Sequence, residues 1–454
     1  TSPRTALISL FKISRPIETR LTANAKDGQA REDLDILIRE ASLANPLLDF
    51  DKLLVIRRKG EANRSLNAYT SDTIKRTGWD NEISELSNLR GEVKVRTIHR
   101  PDKQGVIKHL DLHFDGKRIM FSGVGKNGCW GILEVDPDGK NLKELTPDDQ
   151  AGIQWFDGCY LPENGLILAC STAGMQGLPC VNGSQPMVNL YKVDVETKQV
   201  RQLTFEQDSD WHPRVHHNGK VLYLRWEYTD TPHYFSRHLF QMNPDGTGQI
   251  EYWGSGSYFP TAFVWARPVP NDPSLVVGLV SGHHAKSETG RMMLVNPAVG
   301  RKYPLRFRPK DKDWGPQNST INIHPDVLPA GETGCMQEIP GWGRDVVGNV
   351  YDNQGGGQKY TFQTPWPLSD KYFLVSMQGF QGPSEPAQGG KRPRRGGGKW
   401  TLCLVDVFDN MTVLYSDPAY DLFEPIPLTS RTKPPVLVDR TRPGEPTKIG
   451  RAHV

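Results

Sequence analysis

Apolar and polar positions alternate along most of this chain in short runs, with Gly, Pro, Asn and Asp gathered between the runs. That pattern predicts strands joined by tight turns. Lys52 to Arg58 is a compact strand signal. Val93 to Ile98 is another, with Val93, Val95 and Thr97 alternating against Lys94 and Arg96. One window departs from the rule. From Arg31 to Asn45, Leu34, Leu37, Ile38 and Leu43 fall near one helical face, and Pro46 ends the run. A helix packed against the main body is predicted there.

Two units then recur. The first is a turn followed by an apolar strand: Asp115-Gly-Lys-Arg-Ile-Met-Phe121, Asn164-Gly-Leu-Ile-Leu-Ala169 and Asn218-Gly-Lys-Val-Leu-Tyr-Leu224, with weaker copies from Asp272 and Ser369. Asn-Gly and Asp-Gly supply the positive φ that a tight turn needs. The second is an apolar strand ending in Asp or Asn, as in Leu133 to Asp136, Leu190 to Asp194, Leu239 to Asn243, Met293 to Asn296 and Leu402 to Asp406. Both units return at intervals of about fifty residues, the period of a β-propeller blade. Recognisable blades begin near Val106, Gly152, Asp208, Tyr258 and Tyr360, and 47–100 holds enough strand for a sixth. Leu422 to Leu428 is expected to pair with an early strand and close the ring. The expected fold class is all-β: a six-bladed TolB-like β-propeller with a short N-terminal helical extension. Its expected domains are an extension over 1–46, a propeller over 47–430 with irregular insertions near 301–358 and 379–399, and a linker or truncated tail over 431–454 that lacks a packing element.

Bulk composition fits this reading. The 454 residues include 44 Gly and 35 Pro, which favours turns over long helices. Charge is nearly balanced, 55 basic against 52 acidic side chains, so no nucleic-acid partner is expected. The basic run Lys391 to Gly398 reads as a solvated loop. No apolar run approaches the roughly 20 residues of a membrane span. The chain starts at Thr1, so a removed leader or a longer parent protein is expected. The six cysteines form no C-x-x-C and no C-x-x-C-H, which speaks against a zinc ribbon or a c-type haem attached within these residues. Nucleophile elbows, zincin helices and phosphate loops are likewise missing from the sequence.

The blade units resemble those of TolB-like propellers. A narrower likeness rests on Asn45 to Leu54, Cys170-Ser-Thr-Ala, Leu178-Pro-Cys180, Trp211-His-Pro-Arg214, Leu224 to Asp230, Ser281-Gly-His-His284 and Pro367 to Phe373. These stretches resemble the planctomycete-type proteins that carry the hydrazine synthase alpha subunit middle domain. The resemblance covers about 45–440 and implies a six-bladed propeller in an exported protein. In that family the haem-binding motifs lie outside the propeller.

Candidate chemistry concentrates between Trp211 and His238. His212, Arg214, Arg225, Glu227, Asp230 and His233 make either a polar pocket at the channel or a structural network of satisfied His and Arg. Arg225 is a candidate to clamp a carboxylate, or to form a fork with Glu227 or Asp230. His283 and His284, with His212 and His233, are the candidate ligands of a metal ion. They share one ion only if Gly282 places them on a loop, because neighbours on a strand point to opposite faces. Cys170 and Cys180 either form a disulfide across the intervening loop, worth roughly 2–4 kcal/mol, or remain separate thiols. Two functions are weighed. The first is a non-catalytic scaffold or docking module of a larger exported protein, partnered by its other domains or subunits and holding no cofactor of its own. The second is a redox or metal-dependent component whose active site is completed by a haem-bearing domain absent from this chain.

Overall fold

In this computed structural model, residues 14–59 apart from 25, 75–179, 182–228, 237–282 apart from 256–258, 288–300, 332–346 apart from 342–345, 359–380 and 397–441 are described. The molecule is mostly β. The helix predicted from Arg31 spans Gly28–Leu43. It starts one residue after Asp27, whose side chain accepts from the Ala30 amide and caps the first turn.

The strands run in antiparallel meanders. The first sheet has the order β24-β1-β2-β3, with β1 Lys52–Lys59, β2 Asp80–Ser87, β3 Lys94–His99 and β24 Asp421–Pro427. The second holds β4 Lys108–Leu112, β5 Ile119–Val124, β6 Trp130–Val135 and β7 Lys143–Glu144. The third holds β8 Trp155–Tyr160, β9 Leu166–Ser171, β10 Asn189–Asp194 and β11 Val200–Gln202. An eight-stranded sheet follows. It consists of two meanders joined by one parallel pair, Arg237↔Ala262. Its first meander is β12 Ser209–Val215, β13 Val221–Trp226, β14 Arg237–Met242 and β15 Ile250–Trp253. Its second is β16 Ala262–Pro268, β17 Val276–Ser281, β18 Arg291–Val295 and β19 Met336–Glu338. The last sheet is β20 Tyr360–Pro367, β21 Tyr372–Phe380, β22 Gly397–Asp406 and β23 Met411–Tyr415.

The recurring turns sit where the sequence places them. Gly116, Gly165 and Gly219 take φ of 74°, 77° and 81° between the first and second strands of their meanders. The strand predicted near the chain's end is β24. It pairs antiparallel with β1, Leu53 opposite Pro427, so the last strand among the described residues completes the first sheet.

Burial falls from the inner strand of a meander to the outer one. Every residue of β8 is buried, whereas β11 in the same sheet is largely open. The core therefore lies between neighbouring sheets. Ile132, Leu145, Trp155, Ile167 and Tyr191 pack the second sheet on the third. Leu53, Val55, Leu374, Leu402 and Leu422 pack the first on the last.

The segment after β24 does not hang free, as its Pro- and Arg-rich composition suggests. Up to residue 441 it is held by polar contacts rather than by an apolar face of its own. Leu428 N donates to Lys52 O at 2.9 Å, and Arg431 N to Phe114 O at 2.9 Å. Asp439 pairs with Lys192 at 2.8 Å and with Arg201 at 3.1 Å. Arg440 N donates to Asp245 Oδ2 at 2.8 Å. The segment crosses the turn at Gly219 so closely that a Cβ there would lie 2.4 Å from Pro435 O.

If β24 is an integral part of the first sheet, Phe423→Ala will lower stability by about 3–5 kcal/mol, because a buried ring packed near Trp400 leaves a cavity. Urea denaturation measures this. A loss below about 1 kcal/mol is expected only of an ordinary surface change and would contradict the packing.

Candidate functional site

The inner strands meet in succession: β24 touches β4, β4 touches β8, β8 touches β12, β12 touches β16, β16 touches β20 and β20 touches β24. Each carries the same irregularity. Pairing with the second strand of the sheet slips between Lys108 and Asp111, Phe156 and Cys159, Trp211 and Arg214, Val264 and Arg267, and Gln363 and Trp366. On β24 the slip against β1 falls between Phe423 and Ile426. Within every slip sits one residue with a left-handed backbone: His109 (φ 58°), Asp157 (47°), His212 (52°), Trp265 (56°), Thr364 (53°) and Glu424 (54°). None is glycine, so each costs about 1–2 kcal/mol of backbone strain. Bulges of this kind re-aim a side chain and release backbone groups from the ladder.

The released N–H groups find side chains on the neighbouring sheet. His212 N donates to Asp157 Oδ2 at 2.9 Å. Tyr160 N donates to Asp111 Oδ2 at 3.0 Å, and Asp157 N to Ser122 Oγ at 2.9 Å. His109 N reaches Glu424 Oε1 at 2.9 Å, and Leu110 N the other oxygen of the same carboxylate. Glu424 N donates to Thr364 Oγ1 at 3.0 Å.

The bulged side chains gather into one buried cluster. The His212 imidazole stacks on Trp265 with ring centroids 5.0 Å apart, and His109 lies 5.7 Å from the same indole. His109 Nδ1 shares a hydrogen bond of 3.0 Å with Ser122 Oγ. His212 Nδ1 stands 2.7 Å from Asp157 Oδ2. His212 Nε2 faces Glu288 at 3.8 Å, and Lys108 Nζ faces the same carboxylate at 3.4 Å. Arg214 NH1 donates to Asp157 Oδ1 at 3.2 Å and to Pro213 O at 2.6 Å.

Burial and charge set the protonation states. Burial alone would raise the Asp157 carboxyl, but the Arg214 guanidinium and His212, whose amide donates to the same carboxylate, outweigh it and hold the group well below the usual carboxylate range. Burial drives His109 well below the ordinary imidazole value, with Asp157 opposing, so it is neutral at pH 7. Burial also raises Glu424, against the N–H bonds from Leu110 and His109.

The residues singled out from sequence divide. His212 and Arg214 come together on Asp157. Arg225 lies away from this cluster and forks onto Asp210, Nε to Oδ1 at 2.9 Å and NH2 to Oδ2 at 3.1 Å. Its planar group also covers Phe240 at 4.9 Å. Glu227 is partly buried beyond the end of β13, where burial raises its carboxyl and Ser255 and Arg225 oppose the rise. Asp230, His233, His283 and His284 lie outside the described residues. Among the described residues, no group of three His, Cys, Asp or Glu is placed to hold a metal ion. Cys170 is a buried free thiol with Sγ 3.8 Å from Asp157 O and from Asp210 O, and Cys180 lies outside the described residues. Sequence reasoning missed His109, Asp157, Trp265, Thr364 and Glu424. A signal existed, since all but Glu424 stand a few residues upstream of the recurring turns that begin at Asp115, Asn164, Asp272 and Ser369.

Beside this cluster, where the inner strands leave their bulges, a cavity of about 660 Å³ opens. Asp111, Arg214, Arg267 and Trp366 line its inner end, and Arg431 of the crossing segment borders it.

No family model matches the chain, and no curated protein matches its sequence. Among solved structures it is similar to Kuenenia stuttgartiensis hydrazine synthase, with a TM-score of 0.57 and 14% identity over 86% of this chain and 48% of that one. The chain thus spans about half the length of the protein it matches. Weaker likenesses are to TolB from Acinetobacter baumannii (TM-score 0.41, 10% identity, 88% of this chain and 72% of that one) and to a nidogen/laminin complex (0.44, 10%, 82% and 96%). The hydrazine synthase likeness is one of fold: this chain is built as a β-propeller module.

Asp157→Asn will remove the charge that compensates Arg214 and is expected to cost about 3–5 kcal/mol at pH 7. The native carboxyl is depressed, so its contribution is complete at neutral pH and is lost as pH falls from about 4 toward the lower folded value. Urea midpoints of wild type and variant should therefore differ most at pH 7 and converge at lower pH. A difference that grows on acidification contradicts the assignment.

Proposed function

We propose that this chain is a six-bladed, TolB-like propeller that serves as a docking module in a larger exported protein, in the manner of the hydrazine synthase alpha subunit middle domain. The observation that carries the reading is the set of six equivalent bulges on successively touching inner strands, tied sheet to sheet by side-chain acceptors. The count of blades is supported by treating the eight-stranded sheet as two meanders, because a single residue pair joins its halves. Closure is supported by the β24–β1 pairing.

A docking role fits what fills the centre. His109, Asp157 and Glu424 are buried and spend their polar atoms on Ser122, Arg214 and bulge amides. Groups engaged in this way hold sheets together. The exported location rests on the residue-level resemblance. The partners are the other domains or subunits of the parent protein. A redox or metal-dependent role keeps one specific observation in its favour: His212 is only 4% exposed, and its Nε2 has no hydrogen-bond partner.

Metal analysis and cross-linking mass spectrometry of the full-length parent protein separate the two. A docking module yields cross-links from its surface lysines to a second domain or subunit and carries no stoichiometric metal. A stoichiometric metal lost in His212→Ala, with the fold retained, would sink the docking reading in favour of the metal-dependent one.

A further inference from the structure

Among the described residues, Arg267 is the guanidinium lining this cavity that has no counter-charge in contact. It leaves β16 just after the bulge and is 7% exposed. Its planar group lies over the Trp366 ring, 4.6 Å from the centroid. Among the described residues, no hydrogen bond or ion pair reaches its nitrogens, and it lines the 660 Å³ cavity. The neighbouring cations are already engaged. Arg214 is held by Asp157 and Pro213 O. Arg431 NH2 is held by Asp111 Oδ1 at 3.0 Å and by Leu112 O at 2.7 Å, although its Nε is buried without a partner. Of the three guanidinium groups on this cavity, Arg214 and Arg431 thus contact carboxylates, Asp157 and Asp111, and Arg267 does not.

An isolated buried charge is costly, and natural proteins pair it or let a ligand do so. Burial, with Arg214 and Arg431 adding repulsion and Asp111 and Glu424 opposing, pushes Arg267 down to about 9. The remaining walls are largely apolar, with Phe50, Phe114, Leu368 and Pro268 among them. The volume lies in the range of small-molecule pockets, roughly 300–1,000 Å³, and is far larger than an inorganic ion needs.

From this arrangement we infer that the cavity binds a small organic monocarboxylate, its carboxylate on the free edge of Arg267 and its apolar body against Phe50, Phe114 and Trp366. One guanidinium without a contacting carboxylate matches one carboxylate group. A guanidinium fixed in plane by an indole presents a fork suited to two carboxylate oxygens.

Calorimetric titration of the chain with benzoate, its neutral isostere benzamide and inorganic phosphate tests the assignment. Benzoate should bind at least about tenfold more tightly than benzamide, as expected when a charged hydrogen bond is lost. It should also bind more tightly than phosphate. Arg267→Met should abolish benzoate binding without lowering the thermal midpoint of the ligand-free protein, because it removes an uncompensated charge. Arg267→Lys should fold and bind at least about tenfold more weakly, since the fork is gone. Absence of benzoate binding, equal binding of benzamide, or undiminished binding by Arg267→Lys overturns the site. Preference for phosphate overturns the apolar-body assignment. A lowered midpoint in Arg267→Met assigns Arg267 a structural role on Trp366 and overturns the proposal.

Discussion

The arrangement depends on one exchange between neighbouring sheets. A bulge on each inner strand takes amides out of their own ladder, and a side chain of the adjacent sheet accepts them. Asp157 receives His212 N, Glu424 receives His109 N and Leu110 N, and Asp111 receives Tyr160 N. Within a sheet the backbone supplies its own partners. Between sheets apolar packing acts with these bonds, the Arg214–Asp157 pair and a few backbone bridges such as Gly290 to Phe362, and the bonds fix angle and register where packing is permissive. The left-handed residue in each bulge is the strained element that makes the exchange geometrically possible.

That exchange explains how much could be read from sequence. The turns were legible because tight turns demand Gly after Asn or Asp, and Gly116, Gly165 and Gly219 adopt the required φ. The strand near the end was legible from its apolar pattern, and it became β24. The helix was legible from its periodicity, displaced by a few residues because Asp27 is its cap. The bulge positions were not legible by residue type. His, Asp, His, Trp, Thr and Glu share no chemistry, because each answers to a different neighbour, and only a place before the turn is common to the first five.

The site was half legible for a related reason. Density of His, Arg and Trp drew attention to Trp211–His238, and His212 and Arg214 do reach the centre. Arg225 belongs to the same run but sits on the second strand, where Asp210 claims it. Sequence cannot separate a satisfied arginine from an unsatisfied one, since the difference is the distance to a carboxylate on another element. Arg267 looks ordinary in Ala262–Pro268, and its isolation appears only when Trp366 and the cavity are placed around it.

The pairing of Leu53 with Pro427 also sets an order of events. The first sheet cannot gain its inner strand until β24 has been made, so a growing chain carries an unfinished sheet until that strand emerges. Early meanders form from local contacts, but the joining contact spans nearly the whole sequence, and such contacts slow folding. Until then β1 presents an open edge, ready to accept a strand from another molecule. The segment beyond β24 then runs across Asp245 and the turn at Gly219, away from the first sheet. The last described part of the chain thus acts as a latch, engaging only after the joint beneath it has formed.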